Sequence, residues 1–288
     1  GGLSESRGVV ARTGLASGSM DMARLVIFTD LDGTLLSRRT YGAGPAEEAL
    51  ALLRGHAIPV VCVTAKTWAE LEPLIDELDL QDPCIVENGG ALYLPKGYFP
   101  FLLPGSRQEG LWEVLVFNQP YERVWAELEV LRREGFRFCA FHEVSTRQIA
   151  RWTGLDPASA LRAQQRLWDV TIRLEEPPAR RALLAGRLRK RGLHLQSGGR
   201  FWHVFGPYEK GEAVRRLRRL YEYALGPIRA VGIGDAPNDE PLWAAVDEAY
   251  QVASAPGRWR RVRVPTRRIP EVGPRGWVRV VENLLARL

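Results

Sequence analysis

Two aspartates stand two positions apart at the end of an apolar run. In IFTDLDGTLL (27–36), Asp30 and Asp32 follow residues that otherwise read as a strand buried on both faces. A buried strand gains nothing from carboxylates, and a turn needs one at most. Two further strand-like runs finish in the same manner. IPVVCVTA (58–65) reaches Thr64 with Lys66 two residues on, and IRAVGIGD (228–235) ends in Asp235, followed by Asn238 and Asp239. In an open parallel sheet, ligands sit beyond the carboxyl ends of the strands, so these groups are expected to face one crevice. Carboxylates packed so closely repel unless a cation neutralises them. An all-oxygen set of this kind suits Mg²⁺, which binds through one or two carboxylates plus a substrate phosphate. The chemistry implied is metal-assisted phosphoryl transfer.

Each motif has a plain structural reading as well. DLDGT can be an Asp-Gly turn, and GDAPND can be a helix cap with Pro237 in the first turn. Their joint occurrence, each just after a buried strand, favours the site. The lysines add independent weight. Only four of the 40 basic residues are lysines, and two of these, Lys66 and Lys210, stand where phosphate contacts are wanted. A compact ammonium suits a tight anion pocket better than a wide guanidinium.

The elements that must position these groups alternate between strand and helix. After 24–30, helices are expected over 45–54 and 67–80, strands over 58–65, and a strand–turn–strand over 84–94 that contains Asn88, Gly89 and Gly90. The pattern resumes with a helix over 209–225, a strand over 228–235, a helix from APNDEPLWAAV, a strand near AYQVA and a last helix near GWVRVVENLLARL. Between them the texture changes, with strand candidates at LWEVLVFN, DVTIRL, HLQSG and FWHVFG interleaved with helices. The expectation is an α/β protein: a Rossmann-like parallel-sheet core over 23–105 and 205–288, with an inserted α+β cap domain over 106–204. Linkers near 103–110 and 204–208 are expected to hinge, so that closure excludes water during the reaction.

Composition bounds the alternatives. At 288 residues, 45% apolar and 26% charged, the chain reads as a soluble protein of two domains. No run approaches the roughly 18 apolar residues of a membrane span. The cysteines, Cys62, Cys84 and Cys139, have no metal-ligand spacing, and their odd number argues against a disulfide framework. They are expected as thiols in a reducing cytoplasm. The polar, glycine- and serine-rich stretch 1–22 reads as an expression-tag remnant rather than a signal peptide. A net charge of +6 raises a nucleic-acid-binding reading, but the arginines are spread along helices beside glutamates, as on a solvated face. Their excess over lysine fits a GC-rich or thermophilic source.

DLDGT (30–34), Thr64, Lys210 in EKG and GDAPND (234–239) resemble the four motifs of the haloacid dehalogenase superfamily, most of whose members are Mg²⁺-dependent phosphatases and phosphomutases. The long insertion resembles the α/β cap of its sugar-phosphate subgroup. TAKT (64–67), ENGGA (87–91), TGLDPASALRAQQRLWD (153–169) and GGRFWHV (198–204) further resemble one family within it, the mannosyl-3-phosphoglycerate phosphatases. Their product, mannosylglycerate, is a compatible solute. The chain departs from the wider superfamily in having Ala65 and Lys66 after Thr64.

The resemblance implies a role for each matching residue. Asp30 is the nucleophile and Asp32 the general acid and base. Thr64 and Lys210 bind the phosphoryl oxygens. Asp30, Asp235 and the Asp32 carbonyl hold Mg²⁺, and Asp239 and Asn238 support the metal waters and Lys210. Lys66, Asn88, Gly89, Gly90, Gln165, Arg166, Arg200, His203 and Asn238 are expected around a small phosphorylated glycoside. No nucleic acid or membrane partner is expected, and a homodimer stays open. A phosphohexomutase or another sugar-phosphate phosphatase on this scaffold is the main alternative.

Overall fold

A computed structural model describes residues 24–288; the stretch 1–22 read as a tag remnant lies outside the described residues. The chain begins β1 (Arg24–Thr29), α1 (Ala46–Gly55), β2 (Val60–Val63), α2 (Trp68–Glu77), β3 (Cys84–Val86) and β4 (Ala91–Pro95), as the alternation predicts. It continues through β5 (Arg107–Glu109), β6 (Trp112–Val116), α3 (Tyr121–Arg133), β7 (Phe138–Ala140), α4 (Thr146–Thr153) and α5 (Pro157–Gln164). Then come β8 (Val170–Leu174), α6 (Pro178–Arg189), β9 (His194–Ser197) and β10 (Trp202–Phe205). The last stretch holds α7 (Lys210–Leu225), β11 (Ile228–Gly234), α8 (Glu240–Trp243), β12 (Glu248–Ala253), β13 (Arg267–Val272) and α9 (Arg275–Leu285).

The larger sheet has the order β13-β12-β11-β1-β2-β3-β4-β6-β5. It is parallel from β13 to β3 and antiparallel beyond. Strand β1 lies between β11 and β2, so the ends carrying Asp30, Asp235 and Thr64 are immediate neighbours. That order is what turns three distant segments into one crevice. Period-2 alternation divides the core between the two faces. Ile27 and Cys62 pack toward α1, α2 and α9, whereas Val26, Phe28 and Val61 pack toward α7. Helix α7 presents Val214, Leu217 and Tyr221 to the sheet at helical spacing, all buried. Trp277 of α9 is fully buried and donates its Nε1–H to Thr29 Oγ1 at 3.0 Å, anchoring that helix behind the end of β1.

The smaller sheet is antiparallel, β7-β8-β10-β9, with α3 and α6 packed on it through Val124, Leu128, Leu131, Leu184 and Leu188. Its boundary differs from the expected one at residue 106. Strands β5 and β6 extend the larger sheet, where Leu92 pairs with Leu115 and Tyr93 with Val114. Val114 and Leu115 enter opposite faces of the main core, which burial favours over a half-exposed edge in the smaller unit. The first crossing is therefore at 117–120. There Asn118 Nδ2–H donates to Tyr208 O at 3.0 Å and Tyr208 N–H donates to Asn118 Oδ1 at 2.7 Å, tying the two crossings together.

The helix expected from APNDEPLWAAV is also shorter, a 3₁₀ turn at Pro237–Asp239 running into the single turn of α8. Pro241 brings no N–H to extend it. Among the described residues, no helix is long and apolar enough to cross a membrane.

Candidate active site

Three carboxylate oxygens, one each from Asp30, Asp235 and Asp239, lie within 4.8 Å of one another. All three residues are buried. Lys210, also fully buried, enters from the first turn of α7, with its ammonium 3.1 Å from Asp30 Oδ1 and 2.9 Å from Asp239 Oδ1. The other oxygen of Asp239 accepts the backbone N–H groups of Asp235 at 3.0 Å and Ala236 at 3.3 Å. Asp239 thus braces both the lysine and the Asp235 turn.

Burial first, then the charges of Asp239, Asp235 and Asp32 against that of Lys210, push Asp30 up to about 8. Asp235 is raised by burial and Asp239, against the pull of Arg38. Burial draws the Lys210 ammonium down, but Asp239 and Asp30 outweigh it and leave it above its ordinary value. With all three carboxylates ionised, their charge exceeds that of the Lys210 ammonium and the Arg38 guanidinium together. An oxygen-only donor set with that excess fits a hard divalent cation.

The carboxylate of Asp32 does not join this trio. Its Oδ2 pairs with Lys66 Nζ at 3.1 Å, and its Oδ1 is buried without a hydrogen-bond partner among the described residues. Gly33 permits the approach: its φ is +80°, and a Cβ there would lie 2.9 Å from Asp235 Oδ2 and collide with Arg38. Thr64 is buried, and its Oγ1 accepts the Lys66 N–H at 3.0 Å. Asn238 is half-buried and makes no side-chain hydrogen bond among the described residues.

The ENGG turn faces the smaller unit. Glu87, Asn88 and Gly89 all have positive φ, at 47°, 60° and 101°. A Cβ on Gly89 would lie 2.5 Å from Glu209 O, so only glycine lets α7 bring Lys210 this close. A Cβ on Gly90 would meet Trp168 Cβ at 2.9 Å. Glu87 Oε1 accepts the N–H groups of Leu167, Trp168 and Asp169 at 3.0, 3.1 and 3.1 Å. Burial pushes Glu87 up to about 7, against Arg166 and those amides.

Arg166 donates two bonds to Ala65 O, at 3.1 and 3.0 Å, and its buried Nε has no hydrogen-bond partner among the described residues. Asn88 Nδ2–H donates to Asp169 Oδ2 at 2.7 Å, and His203 Nδ1 lies 3.0 Å from Asp169 Oδ1. His203 and Arg166 hold the buried Asp169 carboxyl below its ordinary value against desolvation.

The expected residues therefore divide. Asp30, Asp235, Asp239 and Lys210 meet at one point, and Asp32 with Lys66 flanks it. Asn88, Gly89, Gly90, Arg166 and His203 line the junction of the two units. Two do not join them. Gln165 is exposed, where α5 ends, and makes no side-chain hydrogen bond among the described residues. Arg200 is exposed at the β9–β10 turn and donates to Thr153 O at 3.0 Å, within the smaller unit. Arg38, Glu87, Asp169 and Gln196, which donates to Asn88 Oδ1 at 3.3 Å, were not among the expected residues. For Glu87 the signal was present: a carboxylate directly after CIV, as Asp30 follows IFT.

Acidic tips of adjacent parallel strands, served by one lysine from the next helix, define a haloacid dehalogenase-like hydrolase, and the profile of that family matches residues 27–99. A haloacid dehalogenase-like hydrolase from Bacteroides thetaiotaomicron shares the fold, with a TM-score of 0.60 at 16% identity over 91% of this chain and all of that one. Closer relatives exist in sequence. A glucosyl-3-phosphoglycerate/mannosyl-3-phosphoglycerate phosphatase from Methanococcoides burtonii is 36% identical over 265 residues, 91% of this chain and 97% of that protein. One of the same description from Persephonella marina is 31% identical over 91% of this chain and 97% of its own length. The chain belongs to this family of phosphoric monoester hydrolases.

Proposed function

We propose that the chain is an Mg²⁺-dependent phosphatase that converts mannosyl-3-phosphoglycerate to mannosylglycerate and phosphate, and that it accepts the glucosyl counterpart named with it in both relatives. The observation that carries this reading is the meeting of Asp30, Asp235 and Asp239 around Lys210. Asp30, Asp235 and the backbone carbonyl of Asp32 would hold Mg²⁺. When bound, the ion offsets repulsion between the phosphate dianion and the anionic nucleophile.

Asp30 attacks phosphorus in line, and the bond to the ester oxygen breaks, leaving an aspartyl-phosphate. Asp32 gives its proton to the departing alkoxide. It then takes one from water as that water attacks the aspartyl-phosphate, which frees phosphate and restores Asp30. Lys66, 3.1 Å from Asp32, keeps that carboxyl in place. Lys210 and the Thr64 hydroxyl bind the phosphoryl oxygens, whose stabilisation is most of what such catalysts supply.

The smaller unit acts as a cap. Arg166, Asn88 and His203 stand at its junction with the main sheet, where a glycerate carboxylate and sugar hydroxyls call for charged and polar partners. The test is phosphate release across a panel of phosphorylated metabolites, with and without Mg²⁺. Mannosyl-3-phosphoglycerate and glucosyl-3-phosphoglycerate are expected to lead, and Asp30→Asn to abolish turnover. Turnover near wild type in Asp30→Asn would remove Asp30 as nucleophile.

A further inference from the structure

Between Glu248 and Glu271 the chain has no carboxylate, yet it carries six arginines: Arg258, Arg260, Arg261, Arg263, Arg267 and Arg268. All six are exposed. Arg267 pairs with Glu248 at 2.8 Å, and Arg268 lies over the Trp259 ring at 5.4 Å. The guanidinium groups of Arg258, Arg260, Arg261 and Arg263 have no ion-pair partner among the described residues. Elsewhere the arginines often lie beside glutamates, as Arg191 does with Glu127. An uncompensated run of this kind costs self-repulsion.

The run is also held, and held next to the acidic centre. Gln251 is fully buried in β12 and donates to Arg260 O at 2.8 Å while reaching Asp235 O at 3.4 Å. Glu240, the residue after Asp239, accepts the Arg263 N–H at 2.6 Å. Trp259 donates from its indole to Ile269 O at 2.9 Å, and Gly257 N–H reaches Pro270 O at 3.0 Å. Two of these pins thus start from residues adjoining Asp235 and Asp239.

We propose that this arginine strap, 258–263, is an electrostatic collector at the mouth of the site, selecting for multiply charged anionic substrates; the inference rests on the phosphatase reading above. A centre built from buried carboxylates repels the phosphate and carboxylate it must admit. Fixed cations at the rim reverse that field and raise the local concentration of the anion without touching the reacting atoms. Such an effect is long-ranged and is screened as the Debye length shrinks.

The test compares wild type with the quadruple variant R258Q/R260Q/R261Q/R263Q. A control, R123Q/R133Q/R147Q/R151Q, makes the same change of net charge on exposed arginines of α3 and α4. With mannosyl-3-phosphoglycerate at about 20 mM ionic strength, the strap variant is expected to lose roughly tenfold in kcat/KM with kcat unchanged. The gap should close by about 500 mM salt, and the control should show none. Calorimetric titration of inorganic phosphate into the Mg²⁺-supplemented proteins should show the same salt-dependent gap in affinity. Equal values at low salt, a gap that salt does not close, or the same loss in the control would overturn the proposal. If wild type turned over no phosphorylated glycoside, the phosphatase reading would fail, while the phosphate titration would still decide the strap.

Discussion

Arg38 and Asp235 are joined through a single nitrogen: Arg38 Nη2 lies 2.8 Å from Oδ2 and 3.1 Å from Oδ1 of the aspartate. A guanidinium therefore covers both oxygens of a residue expected to hold a divalent cation. The arginine side chain is 49% exposed and that of Asp235 only 1%, so the pair is anchored at the acid and free at the base. A cation that takes Asp235 competes with Arg38 for those oxygens. Arg38→Ala is expected to bind Mg²⁺ roughly two- to fivefold more tightly by calorimetry, the scale of one solvent-screened ion pair. Unchanged or weaker binding would show that Arg38 does not compete.

Lys210 is the reverse case, a buried cation whose loss leaves two carboxylates facing each other. Removing one partner from a buried ion network typically costs about 3–5 kcal/mol. Lys210→Ala is expected to lower stability by that order in chemical denaturation without metal, and part of the loss should return when Mg²⁺ is added. A variant as stable as wild type in chelator would mean that Lys210 does not balance Asp30 and Asp239.

Strands β11, β1 and β2 were legible in the sequence because each is a short continuous apolar run ending in a polar group, as expected of strands buried on both faces. The same logic located Asp30, Thr64 and Asp235. What it could not supply was the pairing of β6 with β4, since an alternating strand such as WEVLV fits either sheet until its partner is known. Strands as short as β7, three residues, leave no periodicity to read. Arg38 was illegible for another reason: it sits in a turn among SRRT, and only folding brings it across 197 residues to Asp235. Gln165 and Arg166 are adjacent in the same quoted stretch, and nothing in the sequence distinguishes the residue that reaches Ala65 from the one left exposed.

The raised Asp30 carboxyl links metal, proton and stability. Its folded value of about 8 lies above the ordinary 3.8 of an unfolded chain. Below about 4 both states hold the proton, and above about 8 neither does. Between these limits the unfolded chain has released a proton that the metal-free fold retains, so the group's stabilisation falls as pH rises across that window. A divalent cation favours the ionised form and displaces that proton. The increase in melting temperature on adding Mg²⁺ is therefore expected to be larger at pH 8.5 than at pH 6. Calorimetry in buffers of different ionisation enthalpy should show net proton release on binding at pH 6. A metal effect that is flat with pH would contradict the retained proton.

Glu87 offers a test of how the two units are held. Its Oε1 collects three consecutive amides, from Leu167 to Asp169, and it can do so whether or not Oε2 carries a proton. These bonds tie the ENGG turn of the larger sheet to the chain entering β8. Removal of the carboxyl leaves the N–H groups of Leu167, Trp168 and Asp169 without this acceptor. The latter two are buried, each a desolvation cost of about 1–3 kcal/mol if no water replaces it. Glu87→Ala is expected to destabilise the protein by at least about 2 kcal/mol. Hydrogen exchange at Leu167, Trp168 and Asp169 should accelerate well before global unfolding. Gly89 and Gly90 are unchanged in that variant, so the turn itself can persist and Lys210 can stay seated. The loss should therefore appear as faster exchange at the junction and a higher KM, with kcat reduced less than KM is raised. If exchange at 167–169 matched wild type, the junction would be held without Glu87, which would then be a passive buried acid.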